Sequence, residues 1–163
     1  MTAIYLTGFM GAGKTTIGQA LSIALGLDVV DTDTYIEQKT GKKIRDIFVE
    51  SGEKAFRGME TDALKELSGY EGIITTGGGI VIKEENRKLM LKEGTVIFLY
   101  CEPSEVINRL KEDRTRPLIL NKTESDIAKM FQERLPFYKE NTFEVNTTSK
   151  TVENIVNEIQ SRL

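Results

Sequence analysis

The sequence predicts an α/β fold in which a five-stranded parallel sheet is flanked by helices. Short runs of β-branched and apolar residues alternate with longer segments of helical period along all 163 residues. This alternation is typical of parallel strands joined by crossover helices. The strand-like runs are almost continuously apolar, as expected of strands that helices cover on both faces. The length fits one domain over residues 1–163.

The predicted elements follow one another in a regular order. Each predicted strand is a run of three to six residues, namely AIYLT (3–7), DVVD (28–31), GIITT (72–76), TVIFLY (95–100) and FEV (143–145). The predicted helices lie between and after these strands, at 14–26, in pieces between 33 and 70, at 83–92, from about 103, and at 151–163. Helix starts are indicated by Pro103 with Ser104, by the capping-box spacing of TESD at 123–126, and by Thr151 before VENIVNEI.

Composition narrows the possible chemistry. The net charge is −3, with 22 basic and 25 acidic residues, so no overall positive charge favours nucleic acid or an anionic membrane as partner. No leader-like segment opens the chain and no apolar run approaches the ~20 residues that span a bilayer, so we expect a cytoplasmic protein. Histidine is absent and Cys101 is the single cysteine. Carboxylates, lysines and bound cations are therefore left to carry any catalysis.

The segment GFMGAGKTT, residues 8–16, follows the first strand and opens the first helix. Gly8 and Gly13, with four residues between them, form a phosphate-binding P-loop with Lys14 and Thr15, in its required context. Backbone N–H groups and the helix N-terminus bind phosphate, Lys14 reaches the β and γ phosphates, and the Thr15 hydroxyl can hold Mg²⁺. The predicted nucleotide-binding residues here are Gly11, Ala12, Gly13, Lys14, Thr15 and Thr16. The glycine spacing differs from that of dinucleotide sites.

Two aspartates end the second predicted strand. Side chains at the carboxyl ends of parallel strands line the ligand crevice, so Asp31 and Asp33 should face the P-loop. We expect Asp31 to bind Mg²⁺, directly or through water, and Asp33 to accept a hydrogen bond from an acceptor alcohol. One of the two, Asp33 in particular, could instead cap the following helix. Without histidine, a carboxylate is the natural base for a hydroxyl nucleophile. Phosphoryl transfer depends mainly on positioning and charge neutralisation and only weakly on the strength of that base.

Two further stretches suggest function. The irregular loop at 112–123, EDRTRPLILNKT, carries Arg114 and Arg116, and it could close over ATP with at least one arginine on the phosphates.

The segment TTGGG at 75–79 holds three consecutive glycines, more than a tight strand-to-helix turn requires. It is expected to bring bare backbone to the crevice beside the P-loop, although a simple turn is the alternative.

Together these motifs resemble the shikimate kinase family. The ordered set is GFMGAGKTTIG, DTD, Phe56 with Arg57, TTGGG, RPLI and ERLPFY, and it extends over essentially the whole chain. The resemblance implies a P-loop fold like that of nucleoside-monophosphate kinases, with a substrate-binding segment at about 33–60 and a mobile lid at about 112–123. It implies transfer of the ATP γ-phosphate to the 3-hydroxyl of shikimate, on the route to chorismate and aromatic amino acids.

The resemblance also implies roles for individual residues. Asp33 would bind the ring hydroxyls and act as base, while Arg57 and Arg134 would hold the acceptor carboxylate, which planar guanidinium groups match well. The glycines Gly77, Gly78 and Gly79 would face the substrate, and Gly78 would donate its N–H. The remaining implied contacts are Thr75 or Thr76 near Mg²⁺, Arg116 on the phosphates, Arg109 on the adenine, and the loop at 146–150 with Lys150 on the adenine's other side.

Two alternatives stay open from the sequence. Another small-molecule kinase on the same scaffold, such as a gluconate kinase, shares the nucleotide motifs, and the joint presence of Asp33, Arg57, Gly78 and Arg134 argues against it. A nucleotide-binding module without transfer activity is the second alternative, which the intact P-loop and carboxylates disfavour. We expect a monomer with shikimate and ATP as its small-molecule partners. Arg114 has no assigned role.

Overall fold

The computed structural model describes residues 2–111 and 122–163 and confirms the predicted α/β fold. The five parallel strands have the order β2-β3-β1-β4-β5. The strands are β1 (Ala3–Thr7), β2 (Val29–Asp31), β3 (Ile73–Thr75), β4 (Gly94–Tyr100) and β5 (Phe143–Asn146). The helices are α1 (Lys14–Leu25), α2 (Thr32–Thr40), α3 (Ile44–Glu66), α4 (Glu84–Glu93), α5 (Pro103–Lys111), α6 (Glu124–Tyr138) and α7 (Val152–Arg162), with a 3₁₀ turn at Ile80–Ile82.

The sheet divides the core into two layers because successive strand residues point to opposite faces. On one face, Ile4 and Leu6 of β1 pack with α1 and α7. On the other face, Tyr5 belongs to a cluster that includes Phe98 of β4 and Phe131 of α6. No helix in the described ranges is long and apolar enough to cross a membrane.

The segment between β2 and β3 forms a small helical layer of its own. Ile36 of α2 packs with Ile47, Phe56 and Ala63 of α3 in a third apolar cluster. The helix α3 consists of two pieces joined at Gly52, whose φ of 87° and ψ of 169° are not helical. This layer carries most of the predicted substrate-binding segment at 33–60.

Helix starts agree with the sequence signals in most places. Pro103 begins α5, and Thr151 caps α7 by accepting a hydrogen bond from the Asn154 amide. Thr123 and Asp126 form the predicted capping box of α6. Of the predicted lid at 112–123, only residues 122 and 123 are described, so Arg114 and Arg116 lie outside the described residues.

The start of α2 differs from the prediction. The strand β2 ends at Asp31 and α2 begins at Thr32, so Asp33 lies in the first helical turn and does not end the strand. Asp31 is the helix cap, since its carboxylate accepts a hydrogen bond from the Thr34 amide at 3.0 Å. The expectation that one of the two aspartates caps this helix is confirmed for Asp31 and wrong for Asp33, because the chain turns directly from extended backbone at Asp31 into the helix.

Candidate active site

The P-loop connects β1 to α1 at the carboxyl edge of the sheet. Gly11 and Gly13 have φ of 80° and 91°, in the left-handed region that side chains with a Cβ rarely adopt. Lys14 is buried, and its ammonium donates hydrogen bonds to the carbonyls of Gly8 at 2.6 Å and Phe9 at 3.0 Å. The loop therefore surrounds a fixed positive charge, and it lies at the N-terminus of α1, which favours anions.

A crevice of about 840 Å³ runs along this edge. Most of the residues that the sequence assigned to nucleotide and metal line it, namely Gly11, Ala12, Gly13, Lys14, Thr15, Thr16, Asp31, Arg109 and Lys150. These residues come from the P-loop, β2, α5 and the loop after β5. The fold therefore brings together segments that are up to 139 residues apart in the chain, between Gly11 and Lys150.

Asp31 has a partner on the neighbouring strand. Asp31 and Thr75 face each other in the β2–β3 register, and the Thr75 hydroxyl donates a hydrogen bond to the Asp31 carboxylate at 2.8 Å. The Thr76 hydroxyl instead donates to the Leu6 carbonyl at 2.9 Å, inside the protein. Of the two threonines considered for the Mg²⁺ shell, Thr75 is the one beside the aspartate.

The donor set suits a cation that keeps water and phosphate ligands. Within residues 2–111 and 122–163, no group of three acidic, cysteine or histidine side chains could hold a metal ion alone. Thr15 and Asp31 share the crevice with the P-loop. Mg²⁺ commonly binds through one or two carboxylates together with substrate phosphates and water, so these residues fit Mg²⁺ bound with a nucleotide.

A second, smaller pocket joins the crevice. Charged and glycine residues of several segments line it, namely Asp33, Arg57, Glu60, Gly77, Gly78, Gly79 and Arg134, together with apolar side chains such as Phe48 and Phe56. Asp33, Gly77 and Gly78 line both cavities. All six residues that the sequence assigned to substrate therefore lie around one pocket, which we call the acceptor pocket.

Two buried guanidinium groups give the acceptor pocket its charge. Arg57 and Arg134 are only 8% and 6% exposed. Arg57 donates to Glu60 at 2.8 Å, and Arg134 lies over the Phe9 ring at 5.7 Å. Arg57 Nε and Arg134 Nη1 are buried without a hydrogen-bond partner among the described residues, and Arg57 Nη2 lies 3.5 Å from the half-exposed carboxylate of Glu53. Buried donors of this kind are costly unless a ligand satisfies them, and an anion would do so.

Glu60 is a residue of the pocket that the sequence analysis missed. It is fully buried and forms an ion pair with Arg57. Burial raises the pKa of Glu60 to about 7; the neighbouring Arg57 opposes the shift and Asp33 adds to it. The spacing from Arg57, three residues along a helix, was the available signal, because residues at this spacing lie side by side.

The three glycines are required for space and not for backbone conformation, since none has a positive φ. A Cβ on Gly77 would lie 2.8 Å from an Asp33 carboxylate oxygen and 3.1 Å from one of Glu60. A Cβ on Gly79 would overlap the Arg57 guanidinium, and one on Gly78 would lie 3.1 Å from the Met10 amide of the P-loop. The glycines therefore let the charged side chains and the P-loop approach the same backbone.

Arg109 connects α5 to the P-loop. Its guanidinium donates to the Gly11 carbonyl at 2.8 Å and to the Glu105 carboxylate at 2.9 Å. Glu105 is a second residue that the sequence analysis missed, and its four-residue spacing from Arg109 was the available signal. Lys150 lies 3.7 Å from Glu158 and lines the crevice.

The sequence of this chain is similar over nearly its whole length to one family of known proteins. A protein-family model described as shikimate kinase matches residues 10–163. A shikimate kinase of Bacillus anthracis is 52% identical over 163 residues, covering 100% of this chain and 99% of the relative.

Solved structures agree with this match. A shikimate kinase from Acinetobacter baumannii in complex with shikimate superposes with a TM-score of 0.94 at 33% identity, covering 99% of this chain and 92% of the other. A gluconokinase from Sinorhizobium meliloti, at 17% identity and a TM-score of 0.62 with 98% and 90% coverage, shares the fold.

Proposed function

This chain belongs to the shikimate kinase family and is an ATP-dependent kinase of shikimate, and we propose that the crevice and the acceptor pocket together transfer the γ-phosphate of ATP to the 3-hydroxyl of shikimate. The observation that supports this proposal most directly is the junction of the two cavities, because Asp33, Gly77 and Gly78 line both. A phosphate donor in one cavity and an alcohol in the other would meet beside a carboxylate. The product would serve chorismate and aromatic amino acid biosynthesis.

The crevice would bind ATP. Backbone amides of residues 11–16 and the N-terminus of α1 would bind the phosphates, and Lys14 would neutralise charge on the β and γ phosphates. Arg109 would contact the adenine from α5, and Lys150 would border its other side. In support, these side chains line one cavity together with the P-loop.

The acceptor pocket would hold shikimate by its carboxylate. Arg57 and Arg134 would bind that carboxylate through their buried guanidinium nitrogens. Asp33 would accept the hydrogen bond, and finally the proton, of the attacking hydroxyl. The backbone of Gly77, Gly78 and Gly79 would contact the ring, with Gly78 donating its N–H.

Thr15 and Asp31 would hold Mg²⁺, with Thr75 fixing the orientation of the Asp31 carboxylate through its hydroxyl. When bound, Mg²⁺ supplies neutralisation of the phosphate charge that develops during transfer. Arg116, from the predicted lid at 112–123, would contact the transferred phosphate and exclude water. We also propose that the enzyme acts as a monomer and lies in the cytoplasm.

The test is steady-state ADP release with Mg-ATP and either no acceptor, shikimate or gluconate, with the product identified by ³¹P NMR. We expect strong stimulation by shikimate alone and a single ester at the 3-position. Stimulation by gluconate would support the rival small-molecule kinase. Nucleotide binding without turnover on either acceptor would support a non-catalytic module and would overturn the proposal.

A further inference from the structure

The hydroxyl of Tyr138 forms a hydrogen bond with the three-glycine segment, residues 77–79. Tyr138 is the last residue of α6 and is buried, with its ring stacked on Phe98 at 5.0 Å and 8° between planes. Its hydroxyl donates a hydrogen bond to the Gly78 carbonyl at 2.5 Å, although the two residues lie 60 positions apart in the chain. Burial raises the pKa of the Tyr138 hydroxyl above its ordinary value, so the group stays protonated and able to donate.

The carbonyls of the three glycines are held by different partners. The Gly77 and Gly79 carbonyls accept hydrogen bonds from the amides of Ile80 and Ile82, in the 3₁₀ turn that follows. The Gly78 carbonyl accepts its hydrogen bond from Tyr138. A glycine backbone has little conformational preference of its own, so the peptide between Gly78 and Gly79 depends on this distant hydroxyl for its orientation.

The amides of the segment are also divided. The Gly77 amide donates to the Thr32 hydroxyl at 3.1 Å, whereas no backbone carbonyl of the described residues accepts a hydrogen bond from the Gly78 or Gly79 amide. A trans peptide is planar, and its C=O and N–H point to opposite sides, and no peptide here is cis. Fixing the Gly78 carbonyl therefore also fixes the direction of the Gly79 N–H, beside the acceptor pocket that Gly79 lines.

We propose that Tyr138 is a positioning residue, which orients the Gly78–Gly79 peptide so that the Gly79 N–H is presented to the oxygen atoms of the acceptor. The inference rests on the proposed acceptor site. Arg134 lies one helical turn before Tyr138, at the four-residue spacing that puts two side chains on one face, and its guanidinium interacts with the Tyr138 hydroxyl. Burial raises the pKa of that hydroxyl, and the Arg134 guanidinium lowers it by a smaller amount. One face of α6 thus supplies both a guanidinium for the acceptor carboxylate and the hydroxyl that orients the backbone.

The variant Tyr138→Phe tests the proposal because it removes the hydroxyl and keeps a ring that can stack on Phe98. We expect the KM for shikimate to rise about tenfold, the equivalent of one modest hydrogen bond, while the KM for ATP stays within twofold. The matched control is Tyr100→Phe. The Tyr100 ring also contacts Phe98, at 6.1 Å, but its hydroxyl bonds Glu102 at 3.4 Å near the surface, so this variant should keep the wild-type KM for shikimate.

NMR of protein labelled with ¹⁵N-glycine gives a readout that does not depend on turnover. We expect the Gly79 amide signal of the free protein to shift in Tyr138→Phe and to stay in Tyr100→Phe. In the wild-type protein, shikimate should move the Gly79 signal strongly, a measurement that holds even if the variant does not fold. A Gly79 signal that does not respond to shikimate, an unchanged KM in a folded Tyr138→Phe, or equal losses for both substrates would overturn the proposal. A raised KM without any change of the Gly79 signal would assign the effect to the contact between the Tyr138 hydroxyl and Arg134 and would overturn it as well.

Failure of the proposed acceptor would look different from failure of this inference. If wild-type protein showed no turnover of shikimate, the proposed function would fail. The Gly79 signal of the free protein would then still report whether the Tyr138 hydroxyl orients the peptide. A shift upon Tyr138→Phe would support that part of the inference, and an unchanged signal would overturn it.

Discussion

The two joined cavities are built in different ways. The crevice takes its anion site from consecutive backbone amides of one loop, with Lys14 at the start of α1. The acceptor pocket takes its charges from α2, α3 and α6, with the glycines after β3 between them. A site made from one continuous loop can be recognised as a motif. A site made from distant side chains depends on how precisely the helices pack.

The crevice and the acceptor pocket also differ in the free-energy cost of burying their charged side chains. Lys14 is held by carbonyls of its own loop, whereas Arg57, Glu60 and Arg134 are buried together in the acceptor pocket. Buried charges must be paired or neutralised. The acceptor pocket should therefore respond more strongly to small substitutions and to pH than the crevice does, and the following predictions test this difference.

The largest effect is expected for Asp33→Asn, at the junction of the two cavities. The amide cannot accept the proton of the acceptor hydroxyl, so kcat should fall at least ~10²-fold, the usual scale for a positioned base. The KM for ATP should stay near wild type. Steady-state kinetics with both substrates measures the two effects. Asp46→Asn, an exposed position in the first turn of α3, is the control. Wild-type kcat in Asp33→Asn would remove the base assignment.

Gly79→Ala should weaken binding of the acceptor and leave binding of ATP unchanged. A Cβ at this position would overlap the Arg57 guanidinium, so Arg57 must move away from the acceptor carboxylate. Loss of a hydrogen bond to a charged group costs about 2 kcal/mol, so we expect the KM for shikimate to rise about 30-fold. A titration of shikimate at saturating ATP measures it.

Gly58→Ala is the matched control for Gly79→Ala. Gly58 follows Arg57 directly in α3, and a Cβ there would meet nothing within 4 Å. This variant should keep the wild-type KM and gain slight stability from its better helix propensity. A KM for shikimate that is equal in both alanine variants would contradict the steric explanation for the third glycine.

Glu60→Gln tests the buried charge through its pH dependence. The pKa of Glu60 is raised from 4.5 to about 7 in the folded protein. Between these values the folded state keeps a proton that the unfolded state has lost, so a rise in pH favours unfolding. Relative to Glu60→Gln, the wild-type free energy of unfolding should fall as pH rises through this window, by at most about 1.4 kcal/mol per pH unit.

Urea unfolding of both proteins between pH 4.5 and pH 7 measures this difference. The charged groups facing Glu60 are Arg57, Asp33 and Arg134, and all three are kept in the variant. Parallel stability curves for the two proteins would show that Glu60 titrates as an ordinary carboxyl group, and the raised pKa would then be wrong.

The smallest effect is expected in the crevice, for Glu105→Gln. The ion pair with Arg109 is partly exposed, at 33% and 43%, and exposed pairs contribute roughly 0.2–1 kcal/mol. We expect the KM for ATP to rise about two- to fivefold with the KM for shikimate unchanged, as measured by ATP titration. Glu84→Gln breaks the similar Lys88 pair on α4 and should change neither KM. If both variants changed the KM for ATP equally, Glu105 would have no specific role in nucleotide binding.

Much of the site could be predicted because its residues occur in local patterns. The P-loop is recognisable from the spacing of Gly8, Gly13, Lys14 and Thr15, and the structure has it between β1 and α1 as expected. Glu60 and Tyr138 received no role from the sequence, although Glu60 lies three residues from Arg57 and Tyr138 ends the motif ERLPFY. A buried glutamate and a tyrosine at a helix end look ordinary in a sequence, and their partners Arg57 and Gly78 are meaningful only when the segments meet.

The sequence by itself determined the α/β class and the position of the P-loop, since periodicity and short motifs are local properties. For the acceptor pocket it offered residues only through the resemblance of its ordered motifs to a known family, and it gave no role to Glu60. The tertiary structure alone decided that Asp31 caps α2 while Asp33 borders both cavities. The tertiary structure also explains why three glycines follow β3. Their missing Cβ atoms leave room for Asp33, Glu60, Arg57 and the P-loop, and such close approaches depend on packing between segments that are distant in the chain.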